Sequence, residues 1–558
     1  MQINNQKLQG IPGEIVLDSQ EPVKSWKELR YGMFIHLGLY SYLGGVWKGE
    51  EIQKGYSEQI QMWADIAFDE YKKVASHFTL ECFNAEAICL LAKSSGMNYI
   101  VVTSKHHDGF CMFKTKTTDY NVVDSTPFGK DVLQLLSEEC AKQGLKFGVY
   151  FSLVDWHQGH DFDFDNNNTI SESMEALIEQ QLTELMCHYG PIAEVWFDMS
   201  SPSKRQSIKF KEIVRKYQPG AAINGRIWNN KGDFRTLNDN QVPSERLDGA
   251  WQTPASIYNA TWGYRSWQKR DNFDVKVRNL LHGLIAARAR GGNYLLNVGP
   301  QADGSLVDFE KEVLKAIGKE IKRHPEAILE ANPTKFYKQE WGEITSLGQD
   351  LFLHVMNPPE DNRITLSGLV SQIDEVVEDQ TNQKLVWSKE NLDLKVNLPD
   401  DSKRKNLIII KVELAEPFYL IPGNTVSIGK NDVWKIPEEA VEYGYNYADQ
   451  GNYTSLVKAN VRQSFYLSND SAGEISIRIF GNGHHDYIYS VKAGSEEITI
   501  SGKDLTQSEI GPFNIHVTDT IIPVHITLAN PDYFNQDMEL KVESIHVALN
   551  YKERLTFR

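Results

Sequence analysis

The amino-acid sequence predicts an α/β fold, a (β/α)8-like barrel followed by β-sandwich domains. From about residue 25 to residue 330, short apolar runs alternate with amphipathic stretches, which is typical of an α/β barrel. Beyond this region the apolar segments are short, strand-like and separated by turn residues, as in antiparallel sandwiches. The chain has 558 residues, too many for a single hydrophobic core, so several domains are expected.

Four apolar runs are predicted to be buried strands of the barrel. They are MFIH, NYIVVTS, KFGVYFS and AEVWFDM, at residues 33–36, 98–104, 146–152 and 193–199. Between them, apolar residues at three- and four-residue spacing predict helices at 84–95, 131–143 and 172–189. The glycines that follow these helices are typical of helix ends: Gly96, Gly144 and Gly190.

The change of pattern after Pro325 and a short helical stretch gives the domain boundaries. We assign residues 1–330 to the barrel, 331–430 to a β-sandwich, and 431–558 to a second sandwich of jelly-roll type. The second sandwich is a candidate carbohydrate-binding domain because it is rich in aromatic residues, although such residues more often form a core. These residues are Tyr443, Tyr445, Tyr447, Tyr453, Phe465 and Tyr466.

Composition excludes several classes of protein. The formal net charge of -17 argues against a nucleic-acid partner, because phosphate binding requires clustered Lys and Arg. No apolar run approaches the roughly 20 residues of a membrane-spanning helix, and no membrane insertion is expected. The N-terminus has neither the basic start nor the apolar core of a signal peptide. The five cysteines are an odd number without a CxxC pair, which indicates neither a disulfide framework nor a zinc site.

Polar and aromatic side chains occupy the predicted strand ends, where the catalytic residues of an α/β barrel lie. In chain order they are His36, then Lys105, His106, His107 and Asp108, then Tyr150, Trp196, Asp198 and Arg226. A single polar residue at a strand end is more often just the first residue of a loop. Because five consecutive strand ends share this feature, we expect one common pocket.

Asp198 is the most informative of these residues because it ends a strongly apolar run. Burial of a lone carboxylate costs several kcal/mol, so Asp198 either pairs with a cation or is held in place for function. Sugar hydrolysis needs such a carboxylate at the anomeric carbon and a second group that protonates the leaving oxygen. The structural alternative is an ion pair between Asp198 and Arg226.

The two adjacent histidines do not predict a metal site. Neighbouring residues on a strand point to opposite faces, so His106 and His107 cannot both ligate one ion unless the strand has already ended. No HxH or HExxH spacing accompanies them. We therefore expect them to form hydrogen bonds with hydroxyl groups.

Five motifs together resemble a known enzyme family. In chain order they are YGMFIHLGLYS, YSEQI, KHHDGF with the following YNVVDSTPFGKDV, EVWFDM, and GGNYLLNVGPQADG. Over about residues 25 to 330 the chain resembles glycoside hydrolase family 29, the retaining α-L-fucosidases. The resemblance implies an irregular barrel, a C-terminal β-sandwich, no metal and no organic cofactor. It implies Asp198 as the nucleophile, an aromatic wall from Trp262, and fucose-binding roles for His36, Glu58, His106, His107, Tyr150, Trp196 and Arg226.

The sequence departs from the family at the walls of the expected pocket and at its acid/base loop. Leu37 and Gln59 stand where the family commonly has tryptophan. Relatives often carry GDYxTPEQxIP with the glutamate as proton donor, whereas this chain reads GDFRTLNDNQVP at 232–243. Alignment from the threonine places Asn238 at the glutamate, and alignment from the final proline places Asp239 there.

We predict Asp239 as the acid/base, and Glu245 on the same loop is the alternative. The expected function is that of a retaining exo-glycosidase that releases α-linked L-fucose from glycans or small fucosides. A fucose-binding protein that has lost its acid is the alternative class, favoured by Asn238 and by Gln252, where relatives often have glutamate. A related 6-deoxy or galacto sugar is a third alternative. We expect a periplasmic or secreted location.

Overall fold

The computed structural model of the protein describes most of the chain. The described residues are 10–15, 20–163, 168–199, 201–243, 246–247, 249–336, 339–400, 407–429, 433–448, 457–468, 472–483, 486–516, 521–529 and 541–549. Glu245 and Tyr453, both named above, lie outside these ranges.

Eight parallel strands form a sheet that curls into a barrel. They are β1 (Tyr31–Ile35), β2 (Tyr99–Lys105), β3 (Lys146–Ser152), β4 (Ile192–Asp198), β5 (Ala222–Ile223), β6 (Arg235–Thr236), β7 (Trp251–Ser256) and β8 (Asn293–Val298). The order across the sheet is β5-β4-β3-β2-β1-β8-β7-β6, and every pair is parallel. A single parallel bridge from Asn224 to Phe234 joins the two edge strands and brings the sheet around on itself.

Six helices of ten or more residues lie in the described connections of the barrel. They are α1 (Ala85–Ser94), α2 (Val132–Gln143), α3 (Glu172–His188), α4 (Lys204–Tyr217), α5 (Phe273–Ala289) and α6 (Asp308–Arg323). Helices α1 to α4 each begin after a polar residue whose side chain accepts a backbone N–H of the first turn, which is the usual N-cap. Among the described residues between β5 and β7, the longest helical segment is the 3-10 turn Gly225–Ile227.

Shorter elements lie in the connections of the barrel and in the C-terminal part of the chain. The short α-helices are Val23–Lys27, Leu39–Leu43, Ile60–Trp63, Phe68–Lys72, Val122–Ser125 and Gly502–Leu505. Further 3-10 turns are Ser57–Gln59, Lys73–His77, Trp156–Gln158 and Glu438–Ala440, and Glu326–Glu330 is a π-helical turn. Val46–Trp47 pairs with Glu50–Glu51, and Ile11–Pro12 pairs with Tyr419–Leu420.

The C-terminal part of the chain forms four further sheets. The first has five strands in the order Asn332–Pro333, Gly342–Leu347, Asp350–Val355, Ile408–Leu414 and Ile373–Glu378, and the second contains Arg363–Leu366, Asp393–Asn397 and Trp387–Glu390. The third contains Thr425–Ser427, Val457–Ser468, Ile521–Leu528, Ile488–Ala493, Glu496–Ser501 and Glu442–Ala448. The fourth contains Val433–Lys435, Lys541–Leu549, Gly473–Asn482 and Glu509–Ile515.

The hydrophobic core is divided unevenly between the barrel and the later sheets. The largest buried cluster fills the barrel and its helices and includes Phe352 and Ile409 of the five-stranded sheet. The third and fourth sheets enclose a separate cluster that includes Ile477 and Val547. The barrel and the five-stranded sheet thus share apolar contacts. Among the described residues, no helix has the length and apolar character needed to cross a membrane.

The barrel prediction is confirmed, with one local correction. The four predicted strands agree with β1 to β4 within two residues at either end. Arg226 was expected to end a strand, but β5 stops at Ile223 and Arg226 lies in the 3-10 turn that follows.

Candidate active site

One pocket at the carboxyl ends of the barrel strands brings the predicted site residues together. It has an empty volume of about 290 Å³, including the space open to solvent. All ten residues predicted for the site line it: His36, Glu58, His106, His107, Tyr150, Trp196, Asp198, Arg226, Asp239 and Trp262.

Asp198 lies on the wall of the pocket at the end of β4. Its Oδ2 accepts a hydrogen bond from the Tyr150 hydroxyl at 2.7 Å, and its Oδ1 pairs with Nη1 of Arg226 at 2.8 Å. Nε2 of His107 is 3.9 Å from Oδ2, too far for a direct hydrogen bond. The ion pair expected as the structural alternative therefore exists, and it lies inside the pocket.

The same guanidinium group also holds Asp239. Nη2 of Arg226 lies 3.2 Å from Oδ1 of Asp239, and the indole N–H of Trp262 donates to Oδ2 at 3.2 Å. One cation thus bridges two carboxyl groups that both line the pocket. The guanidinium also lies over the ring of Trp196, 4.7 Å from its centre, which fixes its plane.

The two carboxyl groups differ in acidity because their surroundings differ. Burial opposes ionisation of Asp198, but the charge of Arg226, the charge that His107 carries when protonated at acid pH, and the hydrogen bonds from Arg226 and Tyr150 outweigh it and lower its pKa. For Asp239, burial outweighs the attraction of Arg226, and the negative charge of Asp198 adds to it, so the pKa is raised. The pKa values of the two carboxyl groups are thus shifted in opposite directions.

The histidines of the pocket are neutral near pH 7, because burial is the largest influence on each. The pKa of His36 and that of His107 fall to about 4, and the pKa of His106 falls well below its ordinary value. A neutral imidazole offers one donor and one acceptor, which suits recognition of hydroxyl groups.

Neighbouring groups select the tautomer of two of these rings. The amide of Asn297 donates to the Trp262 carbonyl at 2.7 Å, so its Oδ1 accepts from Nδ1 of His36, also at 2.7 Å. Ser152 donates to the Val154 carbonyl and accepts from Nδ1 of His107 at 2.7 Å. In both rings Nε2 is therefore left as an acceptor.

His106 and His107 both reach the pocket because β2 ends at Lys105, just before them. The strand alternation that would have separated them no longer applies. The His106 ring stacks on Tyr150 with ring centres 5.5 Å apart, and its buried Nδ1 has no hydrogen-bond partner among the described residues.

Glu58 lines the pocket and also holds the backbone at Trp262. Its Oε2 accepts the backbone N–H of Trp262 at 3.1 Å and that of Gly263 at 2.9 Å. Burial raises the pKa of Glu58 to about 7, and these backbone hydrogen bonds limit the rise. Gly263 is needed here because a Cβ atom would lie 2.9 Å from the ring of Tyr40.

The loop that carries Asp239 is fastened to β7. Leu237 N–H donates to the Gln252 carbonyl at 3.0 Å, and Asn240 N–H donates to the Pro254 carbonyl at 2.9 Å. The Asn240 side chain accepts the Ser256 N–H at 2.6 Å. Asn240 has φ of 59°, a left-handed conformation that asparagine tolerates better than most residues.

Gln252 does not line the pocket. Its presence where relatives often have glutamate was interpreted above as favouring loss of the acid, and its position in the structure does not support that interpretation. It is fully buried in the barrel, where its amide nitrogen donates to Glu194 at 3.0 Å and its oxygen accepts the Trp196 indole N–H at 2.9 Å. Gln252 therefore orients a wall residue from beneath. Glu245, the alternative acid, lies outside the described residues.

Two further residues line the pocket that the sequence did not point to: Phe34 and Tyr56. Phe34 is an apolar residue within β1, and nothing in its sequence context distinguishes it from the core. Tyr56 begins the YSEQ motif that contains Glu58, and that motif was the signal that could have found it. Of the two residues that stand where the family commonly has tryptophan, Gln59 lines the pocket and Leu37 does not. Within the described ranges, no group of three or more His, Cys, Asp or Glu side chains is placed to hold a metal ion.

Comparison with known proteins identifies the family. The family model for α-L-fucosidase matches residues 12–326. The tissue α-L-fucosidase of Rattus norvegicus is 26% identical over 372 residues, which cover 63% of this chain and 79% of the relative.

Two solved structures are similar as well. An α-L-fucosidase of Bacteroides thetaiotaomicron, described as a trapped covalent intermediate, is 25% identical with a TM-score of 0.64 and covers 72% of this chain and 98% of its own. An unliganded α-L-fucosidase of Lactobacillus casei is 34% identical with a TM-score of 0.50 and covers 55% of this chain and 99% of its own. Because the family model spans more than half of the sequence, the chain belongs to glycoside hydrolase family 29, the α-L-fucosidases.

Proposed function

We propose that the protein releases terminal α-linked L-fucose from fucosylated glycans or small fucosides by double displacement with retention. Asp198 is the nucleophile and Asp239 the acid/base. The observation that carries this assignment is the pair of carboxyl groups held by Arg226, whose pKa values are shifted in opposite directions. Two carboxyl groups with opposed shifts are typical of the acid and the nucleophile of a glycosidase.

In the first step, Asp198 attacks the anomeric carbon while Asp239 donates its proton to the glycosidic oxygen. The C–O bond to the leaving group breaks as the bond to the Asp198 carboxylate forms, and the leaving group departs as an alcohol. Arg226 stabilises Asp198 in its charged form before the attack. The Tyr150 hydroxyl, which donates to Oδ2, orients the carboxylate.

In the second step, Asp239 is a carboxylate and takes a proton from water. The water oxygen attacks the anomeric carbon, the bond to Asp198 breaks, and fucose leaves with its original anomeric configuration. Arg226 contacts both carboxyl groups, so it lies next to the negative charge in each half of the reaction.

The remaining residues fit recognition of a single sugar ring. Neutral His36 and His107 each present an acceptor nitrogen, and His106 lines the same pocket. The pocket is lined mainly by polar and aromatic side chains, which supports recognition of one terminal sugar ring. The covalent intermediate named for the Bacteroides structure supports retention here.

The test is the anomeric configuration of the first product. Proton NMR during hydrolysis of 4-nitrophenyl α-L-fucoside should detect α-L-fucose first, with the β anomer appearing only by mutarotation. β-L-Fucose as the first product would contradict double displacement. Binding of fucose without hydrolysis of any fucoside would favour the sugar-binding alternative.

A further inference from the structure

A line of side chains on β4 connects the interior of the barrel with the active-site pocket. Glu194, Trp196 and Asp198 occupy alternate positions of this strand, so their side chains point to the same face. Trp196 and Asp198 line the pocket, whereas Glu194 does not line it and is completely buried. A carboxyl group to which the proposed reaction gives no role thus lies directly beneath the pocket. Its partner across the barrel is Gln252 of β7.

The hydrogen bonds of Gln252 have only one possible direction. The indole N–H of Trp196 can only donate, so the Gln252 atom that faces it, at 2.9 Å, is the amide oxygen. The amide nitrogen then faces both oxygens of Glu194 and the hydroxyl of Tyr99, each at 3.0 Å. The indole N–H of Trp26 is a further donor to Glu194, at 2.6 Å. All of these contacts bring donors to Glu194, which suits its ionised form.

Glu194 supplies the charge of this network. Burial raises its pKa to about 7, and hydrogen bonds from Trp26 and Gln252 limit the rise. Burial also raises the pKa of Tyr99 well above its ordinary value, so that Tyr99 stays neutral, and Arg288 is a further charged group that acts on Tyr99. Above pH 7 Glu194 is therefore ionised and can only accept, which keeps the amide oxygen of Gln252 directed toward the pocket wall.

Trp196 carries this orientation to the groups that hold the proposed nucleophile. The guanidinium of Arg226 lies over its ring, 4.7 Å from the centre, and the ring of Tyr150 stacks on it with centres 5.6 Å apart. Arg226 and Tyr150 both form hydrogen bonds to Asp198, and Arg226 also contacts Asp239. A rotation of the Trp196 ring would therefore move both groups that fix the carboxylate.

The identity of residue 252 matters because Glu194 is charged. Relatives often have glutamate at this position. Glutamate here would bring a second carboxyl group within about 3 Å of Glu194, and two buried carboxyl groups at that distance do not both ionise. Glutamine presents an N–H to Glu194 and an oxygen to Trp196 from one side chain. In this chain the glutamine at 252 thus matches the glutamate at 194.

We infer that Gln252 is a positioning residue for the reaction, and that Glu194 sets the direction of its amide. Gln252 holds the ring of Trp196, and this ring supports the two groups that form hydrogen bonds to Asp198. Neither Gln252 nor Glu194 lines the pocket, so both act through other residues. The inference rests on the proposed function and extends its machinery to the layer of the barrel beneath the pocket.

The first experiment removes the amide in Gln252→Met, which keeps an unbranched side chain of similar length. Trp196 then loses its acceptor and Arg226 is held less firmly. Burial opposes ionisation of Asp198, and the charge of Arg226 is the largest of the influences that lower its pKa, so this pKa should rise in the variant. Because Asp198 must be ionised to attack, the fall of kcat/KM at low pH for 4-nitrophenyl α-L-fucoside should move upward by about one pH unit.

Trp26→Phe is the matched control. It removes a hydrogen bond to the same carboxylate and leaves the amide of Gln252 in place, so its low-pH fall should coincide with that of the wild type. The other titratable groups that act on Asp198 are unchanged in both variants; they are Arg226, His36, His107, Tyr150 and Asp239. The position of the fall does not depend on the fraction of protein that is folded, so a purely structural role would not move it.

The second experiment reverses the hydrogen bonds at pH 8, where Glu194 is ionised. In Glu194→Gln an N–H of the new amide faces the N–H of Gln252, so kcat/KM should fall about tenfold. In Glu194→Gln combined with Gln252→Glu, the carboxylate at 252 accepts from Trp196 and from the amide at 194, whose oxygen accepts from Trp26. Every donor again meets an acceptor, so kcat/KM should return to within about threefold of the wild type.

An unmoved low-pH fall in Gln252→Met, or a double variant no better than Glu194→Gln, would overturn the inference and leave the fucosidase function intact. Failure of the wild type on every fucoside would instead refute the proposed function. The inference is then tested on the pKa of Asp198 itself, by ¹³C NMR of protein labelled at the aspartate carboxyl carbons, with the signal assigned through Asp198→Asn. An equal pKa in the wild type and in Gln252→Met would overturn it.

Discussion

At the scale of single residues, the chemistry depends on how Arg226 is shared between two carboxyl groups. It favours the ionised form of Asp198, whose other oxygen accepts the Tyr150 hydroxyl. It only partly offsets the burial of Asp239. Removal of the Asp198 carboxyl group and removal of the Asp239 carboxyl group should therefore have different kinetic consequences.

Replacement of Asp198 by glycine should lower turnover of an aryl α-L-fucoside by at least about 10³, because the nucleophile is lost. Sodium azide should restore part of the rate and yield β-L-fucosyl azide, since the small anion enters the space of the carboxylate. The product is identified by NMR. Asp131→Asn is the control, because Asp131 caps a helix away from the pocket. Full activity in Asp198→Gly without azide would end the assignment.

Replacement of Asp239 by asparagine should separate substrates by leaving group. Cleavage of a natural fucoside needs protonation and should fall by about 10² to 10⁴, whereas formation of the fucosyl-enzyme from an aryl fucoside with an activated leaving group should change far less. Presteady-state kinetics on both substrates measure the split. If Glu245→Gln affects the two substrates differently and Asp239→Asn affects them equally, the role of the acid would be assigned to Glu245.

The pH profile checks the same assignment. Asp239 must be protonated to act, and its pKa is raised, so kcat/KM for a natural fucoside should fall as pH rises through that pKa. At low pH, activity should persist below the ordinary range of an aspartate, because the pKa of Asp198 is lowered. Glu58, with a pKa of about 7, titrates in the upper range. The fall of kcat/KM at high pH is assigned to Asp239 if it disappears in Asp239→Asn and remains in Glu58→Gln.

The sequence identified the residues of the site better than it identified their roles. Residues at strand ends converge in any closed barrel, so a predicted strand predicts the position of its last side chain. The position of the proposed acid was harder to predict, because the two alignments of the 232–243 loop differ by one residue and only the fold shows which side chain lines the pocket. The fold brings Asp239 into contact with Arg226 and leaves Asn238 outside the pocket lining. Gln252 was misinterpreted because sequence does not reveal which face of β7 it occupies.

At the scale of elements, the loop after β6 is held by backbone contacts to β7. Asn240→Ala should lower kcat/KM for a natural fucoside by about tenfold, because it removes the bond to Ser256 N–H and places alanine at positive φ. Asn240→Gly keeps the backbone conformation and loses only the bond, so its effect should be smaller. Steady-state kinetics with thermal unfolding as a control measure both variants. Equal effects of alanine and glycine would show that the conformation of residue 240 does not position Asp239.

The longer elements were predictable and the shortest were not. Strands of five to seven residues, such as β2 and β4, have apolar runs long enough to recognise. The two-residue strands β5 and β6 contain too few residues to show a pattern. They exist because their neighbours in the barrel offer unpaired backbone groups, which is a tertiary effect.

At the scale of the whole molecule, the barrel and the five-stranded sheet share a buried cluster, and the last two sheets have their own. Phe352→Ala should reduce the free energy of unfolding by about 3–5 kcal/mol and shift the urea midpoint of enzyme inactivation downward. Ile477→Ala removes a buried side chain from the last two sheets and should leave that midpoint unchanged. Activity and circular dichroism, measured along one urea series, test both variants. A shift of inactivation in Ile477→Ala would show that the two clusters unfold together.

The fold class was predictable because the periodicity changes from helical to alternating near residue 330. The pairing of strands in the later sheets was not, since strand pairing joins segments far apart in the chain. Thr425–Ser427, for example, pairs in parallel with Val457–Ser468. The role of the last sheets in carbohydrate binding stays a prediction, as does the compartment.

The connections around β6 lack the long helices that surround the rest of the described barrel, and both Arg226 and Asp239 lie on them. A helix packed on a barrel does not tolerate insertions well, because an added residue rotates the buried face of the helix away from the strands that it covers. A loop accepts them at little cost, since doubling its length adds only about 0.6 kcal/mol of closure entropy. Evolution can therefore relocate the proposed proton donor by a residue or more while the proposed nucleophile, at the end of the seven-residue strand β4, stays in place.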